Sequence, residues 1–170
     1  MIRHLPHAMP VIDTPRLRIA LMPLEVAVAL VQGYRPAGVN WPDDYPTDST
    51  LVAASMLCAS EAERRPLGRW GVYQMVRKAD GRVVGGLGFL TGGPDPRGQV
   101  QVAFSVPASE CGQGYAAEAV GALVAWARRQ PGVTRVLAET AGTNTPALAV
   151  YEAAGMRRAG ADGGLVFFEG

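Results

Sequence analysis

Two glycines one residue apart, Gly112 and Gly114, separate a stretch typical of a strand from a stretch typical of a helix. Residues 99–106 alternate apolar and polar side chains, whereas residues 114–129 repeat their apolar side chains at helical spacing. Glycine lets the backbone adopt turns closed to other residues and approach a ligand closely. The free N–H groups at the start of a helix, together with its dipole, attract anions. The segment therefore predicts a strand–loop–helix unit that either binds a phosphate group or serves only as a tight turn.

The order of the predicted elements indicates a single mixed α/β domain. Strands are predicted over residues 16–21, 70–77, 83–90, 99–106, 133–140 and 164–170. Helices are predicted over residues 23–33, from about 50 to 65, 114–129 and 145–155. Asp48 or Ser49 is the predicted N-cap of the second helix, and Thr145 that of the fourth. Residues 1–11 are predicted to form an N-terminal tail and residues 12–170 the domain.

The glycine spacing also fits the dinucleotide-binding pattern G-x-G-x-x-[GA], with Ala117 in the last position. Glu139 ends the next strand, where that fold places a ribose-binding carboxylate. However, the pattern normally opens its fold, and here about two thirds of the chain precedes it. The stretch after Glu139 is also too short to complete one mononucleotide-binding half. The dinucleotide interpretation is therefore disfavoured.

The composition describes an ordinary globular protein, with 48% hydrophobic and 18% charged residues and a net charge of +1. The nearly neutral charge argues against a nucleic-acid partner. No apolar run approaches the ~20 residues of a membrane helix, and the N-terminus lacks the apolar block of a signal peptide. Cys58 and Cys111 are too few and too far apart for a disulfide framework or a zinc site. We expect a cytoplasmic protein without metal or membrane contact, and the sequence leaves a homodimer open.

Three separate stretches match short patterns that occur together in one family. TPRLRIAL (residues 14–21) is similar to a T-x-R-L-x-L strand, and CGQGYAAEAV (111–120) to a loop commonly written R-G-x-G-Y-A-x-E-A. NTPALAVYEAAGM (144–156) matches N-x-x-[AS]-x-x-x-Y-x-x-x-G-[FM] with every spacing kept. Over roughly residues 12–156 the chain thus resembles the GNAT acetyltransferase superfamily, in particular its RimJ/RimL-like branch. The resemblance implies a mixed, mostly antiparallel sheet that is flanked by helices and splays at an acetyl-CoA site.

The same resemblance implies where acetyl-CoA binds. Its pantetheine arm would hydrogen-bond the exposed backbone near Ser105 and Val106. Asn144 would also bind this arm, or would serve only as a turn residue before its helix. Glu118 is expected to order the loop. The pyrophosphate would bind the backbone N–H groups of Gly112, Gln113, Gly114, Tyr115 and Ala116.

Tyr151 matches the tyrosine that gives a proton to the departing thiolate in this family. Attack of an amine on a thioester expels a sulfur anion, and a phenol with a pKa near 10 can supply the proton. The alternative is that Tyr151 only packs in the core. Gln101 stands where the branch often has a glutamate and cannot act as a base. Glu139, on the strand beside the gap, is the remaining candidate base, unless the amine arrives neutral or water relays the proton.

The acceptor is expected near the first two helices and the acidic segment NWPDDYPTD. Asp43 and Asp44 could attract a cationic amine there, unless they are merely solvated turn residues. The expected reaction is direct acetyl transfer to a primary amine, either a small molecule or a protein N-terminus. The alternative is a non-catalytic acetyl-CoA-binding sensor or partner module. Cys111, which replaces the usual Arg or Gln, and Gln101 favour that alternative, whereas Tyr151 disfavours it.

Overall fold

Strands and helices alternate around one sheet. The computed structural model describes residues 10–170, and within them it contains eight strands and four helices. The strands are β1 (Val11–Asp13), β2 (Leu17–Leu21), β3 (Val72–Arg77), β4 (Val83–Phe89), β5 (Gln99–Ser105), β6 (Arg135–Ala141), β7 (Arg157–Asp162) and β8 (Leu165–Glu169). The helices are α1 (Leu24–Gln32), α2 (Asp48–Ala62), α3 (Tyr115–Ala127) and α4 (Thr145–Ala153). In the described part, no helix is long and apolar enough to cross a membrane.

The sheet is mixed and splays at its centre. Its strand order is β1-β2-β3-β4-β5-β6-β8-β7, and the β5–β6 pairing alone is parallel among the described pairs. This parallel contact covers only Gln99–Gln101 of β5 and Arg135–Leu137 of β6. Beyond it, β5 pairs with β4 and β6 pairs with β8. The predicted splayed α/β sheet is confirmed, and a dinucleotide-binding fold with a parallel sheet is excluded.

The helices cover both faces of the sheet. Side chains of α3 and α4, among them Leu123 and Leu148, pack with Val100 and Val102 of β5 in the larger core cluster. The second cluster joins α1 and α2 to the other face. A sheet with helices on both faces buries the apolar residues of every element.

Several local features differ from the predictions. Val11 already belongs to β1, which pairs with β2, so the predicted tail extends too far; residues 1–9 lie outside the described residues. β7 was not predicted, because its residues are all exposed and show no alternation. The N-cap of α2 is Thr47 rather than Asp48 or Ser49, since its Oγ1 accepts a hydrogen bond from the Thr50 N–H at 3.1 Å.

Candidate active site

The loop between β5 and α3 presents a row of free backbone N–H groups. Gly112 and Gly114 have φ angles of 76° and 79°, which residues other than glycine rarely adopt. α3 begins at Tyr115 without a side-chain cap. From Gly112 to Ala117, no backbone N–H donates a hydrogen bond within residues 10–170. Free donors at the positive end of a helix dipole form a site suited to an anion.

Arg16 clamps this loop to α3. Its Nη1 donates to the Gln113 carbonyl oxygen at 2.7 Å, and its Nε donates to Glu118 Oε2 at 2.7 Å. Glu118 Oε1 accepts from the Thr14 hydroxyl at 2.6 Å and from the Arg16 N–H at 2.9 Å. Burial acts to raise the pKa of Glu118, but these hydrogen bonds outweigh it and lower the pKa. Ionised Glu118 therefore orders the loop through Arg16.

The guanidinium of Arg16 also places positive charge over the loop. Its Nη2 lies 3.2 Å from where a side-chain carbon at Gly114 would stand, and it stacks 4.7 Å from the centre of the Tyr115 ring. Cys111, at the position where the motif usually has Arg or Gln, is an exposed free cysteine. The cationic side chain at this loop is thus Arg16 and not residue 111. In the sequence this arginine stands out only as part of a motif, because nothing local reveals a partner about a hundred residues away.

A buried carboxylate anchors the start of the loop, and the sequence analysis gave it no role. Glu110 is only 8% exposed. It accepts hydrogen bonds from Arg82 Nε at 2.8 Å and from Arg77 Nη1 at 3.1 Å. Two guanidiniums compensate the cost of burying this charge. Arg77 Nη1 also donates to the Tyr115 hydroxyl at 3.4 Å, which ties the first residue of α3 to the same cluster.

The residues expected at the pantetheine arm line the splay. Ser105 is the last residue of β5, and on its β6 side the strand has no partner in the described part. Val106 follows directly. Asn144 rather than Thr145 caps α4, because its Oδ1 accepts a hydrogen bond from the Ala147 N–H at 3.2 Å. The Asn144 Nδ2 donates no hydrogen bond within residues 10–170, so it is free to bind a ligand.

Tyr151 lies at the same splay. Its ring packs against Phe104 and Phe168, with ring centres 5.3 and 5.2 Å away, and the residue is only 3% exposed. Burial and the negative charge of Glu139 raise the pKa of Tyr151 to about 12. The phenol therefore stays protonated at neutral pH and is available as a proton donor. The ring of Tyr151 also packs in the larger core cluster, as the alternative interpretation requires.

Glu139 is exposed on β6 and points toward the face of α1 and α2. Its neighbour Ala138 packs in the larger core cluster beside α3 and α4, and successive side chains of a strand point to opposite faces. The negative charge of Glu139 nevertheless acts on Tyr151, whose pKa it helps to raise. Within residues 10–170, no group of three His, Cys, Asp or Glu side chains could hold a metal ion.

The structure gives the two predicted substrate aspartates other partners. Asp44 accepts hydrogen bonds from the Ser109 hydroxyl at 2.6 Å and from the Ser109 N–H at 2.9 Å, and both lower the pKa of Asp44. It therefore fastens the acidic segment to the turn before the glycine loop. Asp43 is fully exposed, 3.7 Å from Arg35 Nη2. The structure offers no evidence that either aspartate meets an amine.

A cavity of about 290 Å³ lies between α2 and strands β4 and β5. Phe104 and Ser105 line it where it meets the splay, and Val52 and Met56 of α2 line its outer wall. Asp43 and Asp44 do not line it. No charged side chain lines it in the described part of the chain. Nothing in the sequence indicated this cavity.

Residues 16–157 match the family model described as an acetyltransferase (GNAT) domain. The chain belongs to the GNAT acetyltransferase family. The predicted family and the use of acetyl-CoA as acetyl donor are thereby confirmed. No curated protein sequence matches the chain.

Solved structures of other GNAT proteins share the fold. A GNAT acetyltransferase from Bacillus anthracis is 18% identical, with a TM-score of 0.64 over 94% of this chain and 97% of its own. The ribosomal-protein-S5-alanine acetyltransferase from Vibrio fischeri is 14% identical, with a TM-score of 0.64 over 95% and 96%. The microcin C7 self-immunity acetyltransferase MccE, solved with acetyl-CoA and AMP, is 11% identical, with a TM-score of 0.62 over 92% and 93%. At these identities the likeness concerns the fold alone.

The loop of this GNAT protein fits the pyrophosphate of acetyl-CoA. Its N–H groups have no acceptor within residues 10–170, and a side-chain carbon at Gly112 would meet nothing within 4 Å, so the approach is open. The charge of Arg16 has the sign that a pyrophosphate requires. The assignment of individual contacts to Gly112, Gln113, Gly114, Tyr115, Ala116, Ser105, Val106 and Asn144 stays a prediction.

Proposed function

We propose that this GNAT protein transfers the acetyl group of acetyl-CoA directly to a primary amine, with Tyr151 as the general acid. The observation that carries the proposal is the Tyr151 ring packed between Phe104 and Phe168 at the splay between β5 and β6, where burial and the charge of Glu139 keep its phenol protonated. A proton donor and a candidate base are the two groups that amide formation from a thioester needs.

The binding residues are divided between two ends of the gap. The N–H groups of the glycine loop and Arg16 hold the pyrophosphate, and the open edge of β5 near Ser105 and Val106 holds the pantetheine arm. The Nδ2 of Asn144 gives a further hydrogen bond to that arm. A donor held at both ends of its long chain places its reactive carbon reproducibly, and such positioning is a large part of catalysis.

Acetyl-CoA supplies an activated acetyl thioester, whose reaction with an amine gives an amide and free coenzyme A thiol. The Tyr151 hydroxyl gives its proton to the leaving sulfur. Glu139 accepts the proton that the amine nitrogen loses, directly or through one water. Because the pKa of Tyr151 is raised to about 12, the phenol is regenerated readily by proton uptake from solvent after each turnover.

Of the two residues that favour a non-catalytic protein, Cys111 and Gln101, the first now carries less weight. The charge absent at Cys111 stands instead on Arg16, which is held over the loop by Glu118. Gln101 still cannot act as a base, and in this proposal Glu139 takes that role. We therefore favour an active enzyme, with a protein N-terminus or a small amine as the acceptor.

The test supplies acetyl-CoA with a panel of small amines and short peptides that have free N-termini. The release of coenzyme A thiol is measured with a colorimetric thiol reagent, and the acetylated product is identified by mass spectrometry. We expect one acetamide for each thiol released, and no acetyl group retained on the protein in its intact mass. Binding of acetyl-CoA without turnover of any amine would instead support the sensor, and a retained acetyl group would contradict direct transfer.

A further inference from the structure

The cavity beside α2 exists because β4 lacks side chains on one face. A side-chain carbon at Gly85 would meet Met75 and Val106, which pack on the α3 side of the sheet. Since side chains alternate along a strand, Gly86 and Gly88 face α2 instead. At Gly86 such a carbon would have a single neighbour within 4 Å, the Tyr73 carbonyl oxygen at 3.4 Å. The space above Gly86 is therefore open, and it forms the floor of the cavity.

The walls of the cavity are mostly apolar, and three exposed apolar side chains stand at its mouth. Ala103 of β5 continues the small-residue floor. Three apolar side chains that line the cavity are unusually exposed: Val52 by 60%, Leu90 by 46% and Met56 by 41%. A cluster of exposed apolar side chains around one opening marks a binding site more often than chance. The volume of about 290 Å³ is near the lower end of the ~300–1,000 Å³ typical of small-molecule sites.

The cavity and the surroundings of Tyr151 share Phe104. Phe104 lines the cavity, and its ring also packs against Tyr151. Ser105 lines the same wall, and its hydroxyl is hydrogen-bonded to Thr47 Oγ1 at the start of α2. Glu139 points to this face of the sheet from the other side of the gap. An amine nitrogen near Tyr151 and Glu139 therefore has its remaining atoms directed into the cavity.

We propose that the cavity binds the apolar body of the acceptor, which is a small primary amine with an aliphatic or aromatic group. The inference rests on the proposed function and specifies its acceptor. A polyamine would leave its second ammonium group in a cavity without any charged lining, and an unpaired buried charge is strongly disfavoured. An apolar group displaces water from the same walls at a gain.

The first test compares acceptors on the unmodified protein. We expect kcat/KM for 2-phenylethylamine to exceed that for ethanolamine and for spermidine by at least about tenfold, because each apolar carbon buried adds affinity. Peptides that begin with Leu and with Ser are included as separate arms. A preference for spermidine, for ethanolamine or for either peptide over 2-phenylethylamine would overturn the inference.

The second test fills the cavity from its floor. The series Gly86→Ala, Gly86→Val and Gly86→Leu adds volume at a residue whose φ is not in the positive range. The ratio of kcat/KM for 2-phenylethylamine to that for ethanolamine should fall stepwise, by about tenfold or more at Leu, while the KM for acetyl-CoA changes little. A ratio that does not change along the series would overturn the inference.

A third test changes the mouth of the cavity and leaves β4 as it is. Val52→Glu places a charge at the mouth of the cavity, and Val31→Glu is its matched control on α1, since Val31 is 49% exposed and does not line the cavity. The first change should raise the KM for 2-phenylethylamine by about fivefold or more, and the control should not. Equal effects would contradict the inference even if the Gly86 variants fail to fold.

The two proposals fail in different ways. Thiol release with none of the amines or peptides overturns the proposed function and this inference together. Turnover of ethanolamine and spermidine as fast as of 2-phenylethylamine, insensitive to Val52→Glu, overturns this inference and leaves the proposed function standing.

Discussion

The two sides of the sheet gap present different chemical groups, backbone N–H groups on one side and apolar side chains on the other. On the α3 side, the glycine loop offers backbone N–H groups, and nearly all of its residues fall within one short segment of the chain. On the α2 side, the cavity is shaped by side chains, and by their absence at Gly86 and Gly88, on elements far apart in sequence. Backbone recognition requires particular local conformations and so leaves a readable motif. An apolar cavity arises only where distant elements meet, and it leaves none.

Charge divides the two sides in the same way. Arg16, Arg77 and Arg82 gather around the glycine loop, where Glu118 and Glu110 hold them in place. The cavity on the α2 side has no charged lining within the described residues. This contrast suits an anionic donor on one side and an apolar body on the other. Changes on the two sides should therefore affect the two substrates separately, and the following predictions test that separation.

Tyr151 stands between the sides, and its loss should have the largest effect. Tyr151→Phe removes the proton donor but keeps the ring against Phe104 and Phe168, so kcat should fall about 10²-fold while both KM values change little. Thiol release under saturating substrates measures this. Tyr34→Phe is the matched control, because Tyr34 is 53% exposed beyond the end of α1. Near-normal turnover of Tyr151→Phe would assign Tyr151 to packing alone.

Arg16→Ala should weaken the donor side alone. Loss of a charged hydrogen-bonding group at a half-exposed site should raise the Kd for acetyl-CoA about tenfold, which is about 1.4 kcal/mol, and leave the KM of the amine unchanged. Calorimetric titration with acetyl-CoA measures this. Arg18→Ala is the matched control, because Arg18 lies in β2, two residues after Arg16, and within residues 10–170 its guanidinium pairs only with Asp13, at 3.6 Å.

A second substitution sharpens this result. If Arg16 supplies the charge that the loop lacks at Cys111, then Cys111→Arg in the Arg16→Ala background should recover part of the lost affinity. No recovery, together with a loss of thermal stability, would mean that Arg16 acts only by holding Glu118 and the loop carbonyl.

The kcat of the enzyme should not fall between pH 8 and pH 10, a range in which a tyrosine with an ordinary pKa would begin to ionise. A phenol with a pKa near 10 is half ionised at pH 10, whereas one at about 12 is only about 1% ionised there. Because the protonated form is the active one and its pKa is raised, kcat should stay within about twofold between pH 8 and pH 10. In Glu139→Gln, which removes a charge that raises the pKa of Tyr151, the normalised profile should bend at lower pH. A half-loss near pH 10 in the parent enzyme would contradict the assignment.

The smallest effect is expected from Asp43→Asn. Asp43 is fully exposed and does not line the cavity, so removing its charge should change the KM of the amine by less than about twofold, even at low ionic strength. Asp44→Asn serves as a comparison that removes charge from the hydrogen bonds to Ser109. A large rise in the amine KM for Asp43→Asn alone would return the acidic segment to the acceptor site and weaken the contrast between the two sides.

Most of the secondary structure followed from the sequence, because hydrophobic alternation and helix signals act over a few residues. The first predicted helix ends at residue 33, and in the structure Gly33 follows the last residue of α1 in a left-handed conformation. β7 was not predicted, because a fully exposed edge strand needs no alternation of apolar and polar residues. In the structure it pairs with β8. Thr47 was missed as a cap because Asp48 and Ser49 are also favoured N-cap residues, and its contact with the distant Ser105 is not visible in the local sequence.

By itself, the sequence determined the family, the fold and the place of the glycine loop, because glycine positions and helix starts encode backbone geometry locally. It also singled out Tyr151 and Glu139 as candidates, but not that burial and the charge of Glu139 would raise the pKa of Tyr151. Only the tertiary structure decided that Arg16 stands over the loop, that Asp44 is bound to Ser109, and that an apolar cavity opens above Gly86. These features depend on which distant surfaces pack together, and that packing is a property of the whole folded chain.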